Sequence, residues 1–392
     1  MPVLTINGAR CYYRLDGADD RPVVVLAHSL GVDHTMWDAQ VASLGPNLRL
    51  LRYDVRGHGA SSAPSGDYTI DALAEDVIAL ADALGIATFA FCGLSLGGMI
   101  GLRLARRHGD RLTHLILANT SPRVADPDAM EARRRAVLAH GMPAVVDLAL
   151  GRYFSPEWRA SNAPALAAVR RILATTDPAG YAGCCAAIRD LDECASLAAI
   201  RVPTLVIGGD RDVSMPWPGN GGLLASSIPG ATAVRLPAAH LSNLERPRSF
   251  TAALAAFLIG GDRDLDAAGA AMRRAVLGDA HVDRAAASAT ELTRGFQQLI
   301  TRYAWGTIWT RPGLDVRTRR LLVLATTAAL GRWEEFRLHL EAGVAHELEW
   351  CDVEDVLLQT AVYAGVPAAN TAFHIAGDVR AASMAAGDPE RS

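Results

Sequence analysis

A serine between glycines, Gly93-Leu94-Ser95-Leu96-Gly97, follows an apolar segment and precedes a helical pattern. The pentapeptide fits the G-x-S-x-G turn, in which a strained backbone between strand and helix presents the serine hydroxyl as a nucleophile. The glycines would let strand and helix approach closely, and the Leu96 N–H at the helix N-terminus would face a developing oxyanion. Taken alone, the pattern also fits a serine that begins a helix.

An aspartate and a histidine follow in the order that a Ser-Asp-His triad can adopt. Asp212 lies just after the apolar segment 203–209, and His240 follows the last predicted strand. His240 would accept the serine proton, while Asp212 would fix the tautomer of the imidazole. Asp210 is the alternative acid, or else a solvated turn residue. The place of Asp212, four residues before Pro216, favours Asp212.

A second oxyanion donor is expected where the first buried strand ends, in the segment LAHSLG. The backbone N–H of Leu30 lies there and would complement that of Leu96. His28 is expected to shape this turn rather than to transfer protons. His58, in the loop segment YDVRGHGAS, needs no catalytic role.

The elements that would position these residues alternate in type up to about residue 258. Apolar segments typical of buried strands alternate with helical patterns, which predicts an α/β fold with a mainly parallel sheet covered on both faces. Residues 122–200 are helical in pattern and predict a cap over the strand ends, where such sheets bind ligands. After a small, polar linker at about 259–270, only helical patterns follow. We therefore predict two domains, 1–260 and 261–392.

Composition narrows the class of protein. The chain has 392 residues, half of them apolar, and a formal net charge of −4; this length favours two domains, and the charge gives no indication of a nucleic-acid or membrane partner. Without a long apolar segment or a leader pattern, a cytoplasmic location is expected. The six cysteines have no zinc-site spacing, so free thiols and no metal site are expected.

Residues 1–258 resemble an α/β-hydrolase, and specifically a 3-oxoadipate enol-lactonase. The narrower resemblance rests on the segments HSLGVDHTMWD, MEARRRAVLAHGM and RYFSPEW. It implies that Arg133 in the cap holds the carboxylate of the substrate; a solvated helix face is the other interpretation of Arg133. Trp37 and Trp158 are candidate pocket residues, with packing in the aromatic core as their alternative.

Residues of about 270–385 resemble 4-carboxymuconolactone decarboxylase. The resemblance rests on the segments MRRAVLGDAHVDRA, WGTIWTRPGLDVRTRRLLVLA, EEFRLHLEAGV and LLQTAVYAGVPAANTAFHIA. It implies a small all-helical domain that assembles into homo-oligomers and decarboxylates without a cofactor. A related helical fold uses a C-x-x-C-x-x-x-H redox site, but residues 332–339 here read RWEEFRLH. Because both cysteines are absent, thiol peroxidase chemistry is not expected, and Cys351 is expected to cap or pack.

Decarboxylation needs a carboxylate anchor, a place for the developing carbanion charge and a proton donor. Glu335 and His339 are four residues apart on one predicted helix, so their side chains can meet. His339 would donate the proton or stabilise charge, and Glu335 would tune it; a surface ion pair is the alternative. The candidate carboxylate clamps are Arg311 and either Arg317 or Arg320. Further candidates, each with an equally good structural interpretation, are His281, His374 and Tyr363.

The two resemblances predict consecutive reactions of protocatechuate catabolism on carboxylated lactones. The C-terminal domain would decarboxylate 4-carboxymuconolactone, and the N-terminal domain would open the resulting enol-lactone to 3-oxoadipate. Ser95 would attack the lactone carbonyl; direct attack by water, with His240 as base, is the mechanistic alternative. The alternative function is another small-ester or carbon–carbon hydrolase, fused to a helical domain that only oligomerises.

Overall fold

The computed structural model describes residues 2–259, 265–311 and 313–385. The chain divides into two compact units, unit 1 (residues 1–261) and unit 2 (residues 262–392). Each unit buries apolar clusters of its own.

The segment between the units departs from the predicted linker. The predicted boundary, between residues 260 and 261, lies outside the described residues. The linker predicted at 259–270 is wrong in its second half, because a helix begins at Leu265. Alanine and leucine are strong helix formers, and here they outweigh the unfavourable propensity of Gly269.

The strands of unit 1 form one sheet. They are β1 (Val3–Ile6), β2 (Ala9–Asp16), β3 (Val23–Ala27), β4 (Arg49–Tyr53), β5 (Phe89–Leu94), β6 (Leu112–Ala118), β7 (Thr204–Gly209) and β8 (Thr232–Leu236). Their order in the sheet is β1-β2-β4-β3-β5-β6-β7-β8. β2 pairs antiparallel with β1 and with β4, and every other pairing is parallel. The prediction of a mainly parallel α/β fold is confirmed.

The pattern of apolar segments misses β1 and β2. Both strands pair antiparallel at one edge of the sheet, and their residues are a mixture of buried, half-buried and exposed. They therefore lack the continuous apolar run that identifies a parallel strand buried on both faces.

Helices cover the sheet and form the cap. Those outside the cap are α1 (Asp38–Leu44), α2 (Ile70–Ala83), α3 (Leu96–Arg107), α9 (Gly221–Ser227), α10 (Ser242–Glu245) and α11 (Pro247–Leu258). Between β6 and β7 lie α4 (Pro127–His140), α5 (Val146–Tyr153), α6 (Pro156–Ser161), α7 (Ala163–Thr175) and α8 (Pro178–Arg189). This segment is helical, as the pattern of residues 122–200 predicts, apart from an isolated bridge between Arg123 and Asp192.

The described part of unit 2 is helical. It consists of α12 (Leu265–Leu277), α13 (Asp279–Ala287), α14 (Glu291–Ile300), a π-helix (Thr301–Trp309), α15 (Val316–Ala329), α16 (Trp333–His346), α17 (Trp350–Ala364) and α18 (Val366–Ala385). α12 packs closely on the π-helix, because a Cβ at Gly269 would lie 2.1 Å from the Thr301 carbonyl oxygen. Only glycine permits this approach.

In the described ranges, no helix combines the length and the apolar composition that crossing a bilayer would require.

Candidate active sites

Ser95 occupies a sharp turn between β5 and α3. Its backbone has φ 57° and ψ −112°, a conformation that is strained for a residue with a side chain. The turn is held because the Ser95 N–H donates to the Ala118 carbonyl at 2.9 Å and the Thr120 hydroxyl donates to the Ser95 carbonyl at 2.7 Å. The end of β6 and the residues just after it therefore stabilise the geometry that a nucleophilic serine needs.

Two glycines make this turn sterically feasible. A Cβ at Gly93 would lie 2.1 Å from the Gly97 backbone, and a Cβ at Gly97 would lie 2.2 Å from the Ala27 carbonyl oxygen. Strand β5, helix α3 and strand β3 thus meet at contacts that no larger residue allows. This packing corresponds to the role that the sequence pattern assigns to the flanking glycines.

Asp212 and His240 are in direct contact at the carboxyl ends of the parallel strands, the end of the sheet at which Ser95 also lies. His240 Nδ1 lies 2.9 Å from Asp212 Oδ2, so Nδ1–H donates to the carboxylate and Nε2 is left as the basic nitrogen. Both residues are buried. Burial acts to raise the pKa of Asp212, but the charge and hydrogen bond of His240, with further donors, hold that pKa below its usual value. The dyad is arranged to accept a proton at Nε2.

The predicted nucleophile is not yet hydrogen-bonded to this dyad. Among the described residues, no hydrogen bond joins the Ser95 hydroxyl to His240 Nε2. Such bonds are often long without substrate and shorten in the reacting complex.

His240 also stacks on Tyr153 of the cap, with ring centroids 5.8 Å apart and an interplanar angle of 23°.

Asn119, which sequence reasoning missed, completes the acid's environment. Its Nδ2 donates to Asp212 Oδ2 at 2.9 Å and to the Ala239 carbonyl at 3.3 Å, and its Oδ1 accepts from the Ser242 hydroxyl at 2.5 Å. Asn119 thereby joins the acid to the histidine loop. The sequence holds a signal for Asn119, because this residue ends the predicted strand 112–119 and so lies at the carboxyl ends of the strands, as Ser95 does.

Asp210, the alternative acid, is at the surface. It forms an ion pair with Arg235, and its side chain is 41% exposed. The structure therefore brings Asp212, and not Asp210, to the histidine.

The two proposed oxyanion donors lie where strands end. Leu96 is the first residue of α3, so its N–H has no acceptor within the helix. Leu30 follows β3, and no hydrogen bond involves its N–H among the described residues. The Tyr153 hydroxyl donates to the Leu30 carbonyl at 2.5 Å, and the Gly31 N–H of that same peptide donates to His58, so the backbone that follows the Leu30 N–H is held in place.

His28 and His58 shape the turns next to these donors. His28 Nε2 accepts from the Val55 N–H at 2.9 Å, and its Nδ1 donates to the Ser29 carbonyl at 2.8 Å. His58 Nε2 accepts from the Gly31 N–H at 2.8 Å. Burial lowers the pKa of both histidines, that of His58 to about 3. Both rings are neutral structural groups.

Arg133 on α4 is an unpaired cation inside the cap. Its Nε and Nη2 are buried and have no hydrogen-bond partner among the described residues, and the Tyr181 hydroxyl beside it has none either. The guanidinium carbon lies 5.4 Å from the centre of the Tyr181 ring. Arg134 and Arg135, by contrast, form ion pairs with Asp67 and Glu131. The solvated-face interpretation fits these neighbours but does not fit Arg133.

The two candidate tryptophans of the pocket have packing roles. Trp37 is completely buried, and its ring centroid lies 6.0 Å from that of Phe250 on α11. Trp158 on α6 stacks on Phe154 at 4.1 Å. Among the described residues, no hydrogen bond or ring contact joins either indole to Ser95, Asp212 or His240, and both pack in or against the apolar core, so core packing describes both better than substrate binding.

In unit 2, His339 lies in a cluster with an arginine and two tryptophans, but Glu335 does not. Glu335 is exposed and makes no hydrogen bond or ion pair among the described residues. The expectation that Glu335 tunes His339 is wrong, because Glu335 lies on the solvent side of α16. His339 contacts Arg320 instead, at 3.3 Å between Nδ1 and Nη1.

The protonation state of His339 follows from its neighbours. Arginine can only donate, so Nδ1 is the acceptor and the proton resides on Nε2. Burial, followed by the charges of Arg320 and His281, lowers the pKa of His339 to about 4. The ring lies beside the stacked pair of Trp305 and Trp309, with centroids 6.3 and 6.0 Å away. His339 is thus a neutral Nε2–H donor at pH 7.

The candidate arginine clamps differ in their partners. Arg317 forms an ion pair with Asp352 at 2.5 Å, and the completely buried Arg320 donates to Glu347, to the Val276 carbonyl and to His339. Arg311 is exposed. The structure therefore gives no free, buried guanidinium at Arg311, Arg317 or Arg320.

The remaining candidates separate in the same way. His281 on α13 is half-buried and influences His339 electrostatically, whereas His374 and Tyr363 are exposed. Cys351 is exposed at the start of α17, where its thiol lies 3.6 Å from a carboxylate oxygen of Glu349. Among the described residues, no group of three or more His, Cys, Asp and Glu side chains could hold a metal ion.

Comparison with known families gives two matches along the chain. Residues 22–247 match the family described as alpha/beta hydrolase fold. Residues 294–378 match the carboxymuconolactone decarboxylase family. The first match spans more than half of the chain, and the second lies entirely within unit 2.

Individual relatives agree with this division. The 3-oxoadipate enol-lactonase 2 of Acinetobacter baylyi is 36% identical over 255 residues, 65% of this chain and 95% of the relative. The 4-carboxymuconolactone decarboxylase of the same organism is 40% identical over 111 residues, 28% of this chain and 83% of the relative. The crystal structure of the enol-lactonase from Burkholderia xenovorans LB400 aligns with a TM-score of 0.65 and 42% identity, covering 66% of this chain and 100% of that one.

Both resemblances predicted from the sequence are confirmed by these matches. The chain is an enzyme whose hydrolase domain is similar to enol-lactonases along nearly their whole length. The chain belongs to the α/β-hydrolase family, and in the same polypeptide it carries a member of the carboxymuconolactone decarboxylase family.

Proposed function

We propose that this chain catalyses two consecutive steps of protocatechuate catabolism. Unit 2 decarboxylates 4-carboxymuconolactone, and unit 1 hydrolyses the resulting 3-oxoadipate enol-lactone to 3-oxoadipate. The names of the relatives support the pairing, because an enol-lactonase matches unit 1 and a 4-carboxymuconolactone decarboxylase matches unit 2. The product of the second relative's reaction would be the substrate of the first.

Arg133 is the observation that carries the hydrolase assignment. Leaving a guanidinium buried without an acceptor is costly, and two of its nitrogens are in that state here. A substrate carboxylate would supply both acceptors through a bidentate contact. A neutral ester would leave the cost in place, so the geometry favours a carboxylated lactone over a simple ester.

The hydrolase step follows from the residues at the sheet edge. Ser95 attacks the lactone carbonyl as His240 Nε2 accepts its proton, and the Leu30 and Leu96 N–H groups stabilise the oxyanion. The ring C–O bond breaks, and the enol oxygen takes the proton back from His240 before the enol becomes a ketone. Water, activated by His240, then releases the acyl group from Ser95. Direct attack by water with His240 as base remains the alternative.

The decarboxylase step is assigned to the residues around His339. The neutral imidazole offers an Nε2–H beside two stacked tryptophan rings, where it can stabilise charge that develops on a lactone ring. Arg320 holds the Nδ1 side and keeps this tautomer. We propose His339 as a catalytic residue and leave Glu335 out of the mechanism.

We further propose that unit 2 forms homo-oligomers. α14 and the π-helix expose Leu292, Phe296, Leu299 and Tyr303, each between 60 and 91%. Their spacing places them along one apolar face, and such exposed apolar patches are typical of interaction sites.

A cytoplasmic location is also proposed, because all six cysteines are free thiols and a reducing compartment keeps them so.

Product analysis of the full-length chain tests both activities. Purified enzyme is given 4-carboxymuconolactone, and carbon dioxide, enol-lactone and 3-oxoadipate are followed over time. The wild type is expected to form carbon dioxide and 3-oxoadipate in equal amounts. Ser95→Ala is expected to accumulate enol-lactone, and His339→Ala is expected to stop carbon dioxide release, whereas the exposed His346→Ala on the same helix serves as control.

Each half of the proposal can fail separately. Absence of carbon dioxide from the wild type would leave unit 2 with an oligomerisation role alone. Rapid hydrolysis of neutral esters with no turnover of the enol-lactone would instead identify unit 1 as a different hydrolase. Full activity in Ser95→Ala would remove Ser95 as nucleophile.

A further inference from the structure

Arg273 on α12 is a buried arginine with a free edge. The residue is 9% exposed. Its Nη1 donates to Gln297 Oε1 at 2.9 Å and lies 3.5 Å from Thr301 Oγ1. Its Nε is buried without a partner, and no hydrogen bond of Nη2 is found among the described residues. One nitrogen is tethered, while the Nε–Nη2 edge remains available.

This free edge has the geometry that binds a carboxylate. The Nε–H and an Nη2–H of arginine are parallel donors, and they match the two oxygens of a carboxylate. The tether to Gln297 and Thr301 holds the guanidinium in place, so less side-chain entropy is lost when an anion binds.

Arg273 and its contact Thr301 each lie one helical turn from a residue of the cluster around His339. Val276, one turn further along α12, accepts a hydrogen bond at its carbonyl from Arg320, which also contacts His339. Trp305 lies one turn after Thr301 in the π-helix and stacks on His339. π-helices are rare and frequently occur at functional sites. Arg273 and His339 therefore belong to one cluster formed by distant segments of unit 2.

The charge in this cluster is positive and only partly compensated. Glu347 pairs with Arg320, but no acidic side chain pairs with Arg273 within the described part of unit 2. Burial lowers the pKa of Arg273 and of His281, and the charges of Arg273 and Arg284 lower that of His281 further. An anion bound at the free edge would offset this uncompensated charge.

We propose that Arg273 is the carboxylate anchor of the decarboxylation site, binding through its Nε–Nη2 edge the carboxylate that the lactone substrate retains. The lactone ring then lies beside Trp305 and His339. This inference rests on the proposed decarboxylase function of unit 2.

The chemistry of the step decides which carboxylate Arg273 binds. The bond from the ring carbon to the departing carboxylate breaks, carbon dioxide leaves, and the electron pair stays on the ring as a dienolate. A proton from solvent then bonds to carbon, so the net reaction takes up one proton. The departing carboxylate loses its charge, so an arginine on it would stabilise the ground state more than the transition state. An arginine on the retained carboxylate binds equally well throughout.

Kinetics of the full-length chain distinguish an anchor from a structural arginine. Arg273→Met is expected to raise KM for decarboxylation by about 10- to 100-fold, the usual effect of losing a charged hydrogen bond, with kcat changed much less. Arg273→Lys keeps the charge but loses the paired edge, and an intermediate KM is expected. The adjacent, half-exposed Arg274→Met, which removes only ion pairs to Asp279 and Asp283, is the control.

A binding measurement separates this inference from the proposed function. Muconolactone, which lacks the departing carboxylate, is titrated by calorimetry into full-length protein carrying Ser95→Ala and Arg133→Met, so that only unit 2 binds. Adding Arg273→Met is expected to weaken binding about 10- to 100-fold, and adding Arg274→Met to leave it unchanged. Circular dichroism and melting establish that each variant is folded.

The outcomes are distinct. Unchanged affinity and unchanged KM in Arg273→Met overturn the anchor, even if the wild type releases carbon dioxide. A fall in kcat with constant KM also overturns it. Arg273-dependent binding by a chain that releases no carbon dioxide supports the anchor and removes the proposed decarboxylase function.

Discussion

The two units place their candidate catalytic groups in different ways. In unit 1, Ser95, Asp212 and His240 each follow a different strand, and the parallel sheet brings them to one edge. In unit 2, the candidate residues come from three helices: Arg273 from α12, Arg320 from α15 and His339 from α16. No turn or strand end marks any of them in the sequence. In a parallel sheet, residues that follow the carboxyl ends of the strands lie close together, whereas residues on different helices meet only when whole helices pack.

The same physical sign supports the proposed ligand site in each unit. Most buried polar groups in proteins have hydrogen-bond partners, and the exceptions here include Arg133 in unit 1 and Arg273 in unit 2. Arginines with acidic partners, such as Arg134 and Arg317, need no ligand to explain them. Buried guanidinium nitrogens that have neither an acceptor nor an acidic partner therefore indicate a carboxylate better than an arginine-rich sequence does.

The largest expected effect comes from the acid of unit 1. Asp212→Asn should lower kcat for enol-lactone hydrolysis by about 10⁴-fold, because an amide cannot stabilise the imidazolium and can favour the wrong tautomer of His240. Steady-state hydrolysis by the full-length chain measures it. Asp210→Asn, which removes only a surface partner of Arg235, should stay within about twofold. A similar loss in both variants would refute the assignment of the acid.

Much of unit 1 is predictable from sequence, because its signals are local. The turn around Ser95 has a fixed spacing of glycines, and Asp212 and His240 lie within a few residues of recognisable apolar strands. Asn119 lies at an equally recognisable strand end, but asparagine in a turn has many structural uses. Its contact with Asp212 joins positions 93 residues apart in the chain and is visible only in the fold.

Unit 2 is less predictable, because its candidate residues are brought together by contacts between distant helices and have no local signal in the sequence. The spacing of Glu335 and His339 fits a contact on one helix, but the rotation of α16 leaves Glu335 in solvent and turns His339 towards Arg320. Arg273 gives no local signal, since it stands beside a second arginine that is half-exposed. Helix periodicity predicts that a helix forms, but not which partner each face meets.

A substitution of Arg133 tests whether a buried, unpaired cation in unit 1 binds the carboxylate of the substrate. Arg133→Met should raise KM for enol-lactone by about 10- to 100-fold, because a bidentate charged contact is lost. The same variant should melt at a temperature equal to or above that of the wild type, since it removes a buried charge without a partner. Enzyme kinetics and thermal melting measure the two effects.

A matched control lies on the same helix. Arg135 is exposed and pairs only with Glu131, so Arg135→Met should leave KM unchanged. Unchanged KM in Arg133→Met would argue for a packing role beneath Tyr181. A large fall in its melting temperature would show that Arg133 has a partner in the free enzyme.

The apolar face of unit 2 gives a prediction on assembly. Phe296 is 60% exposed on α14, and burying such a ring stabilises an interface by about 1.5–3 kcal/mol. Phe296→Ser should weaken self-association about tenfold or more, measured by sedimentation equilibrium of the full-length chain. Gln298→Ser on the same helix is the control. A monomeric wild type would contradict the proposed oligomer.

The smallest effect concerns the pH dependence of folding in unit 1. His58 has a pKa of about 3 when folded, against about 6.5 in an unfolded chain. Below pH 6.5 the unfolded chain binds a proton that the folded chain excludes, so the free energy of unfolding falls as the pH falls. One such group contributes a slope of up to about 1.4 kcal/mol per pH unit. His58→Gln should therefore reduce the loss of stability between pH 6 and pH 4.

Hydrogen exchange can follow this slope in unit 1 alone. Peptides from β3 and β5 report the opening of the sheet core, separately from unit 2. In His58→Gln, the introduced side-chain amide oxygen can accept from the Gly31 N–H, so the hydrogen bond of His58 Nε2 is replaceable. The exposed His140→Gln should leave the slope unchanged. An unchanged slope in His58→Gln would mean that other groups, such as the buried His28, dominate the acid sensitivity of the hydrolase unit.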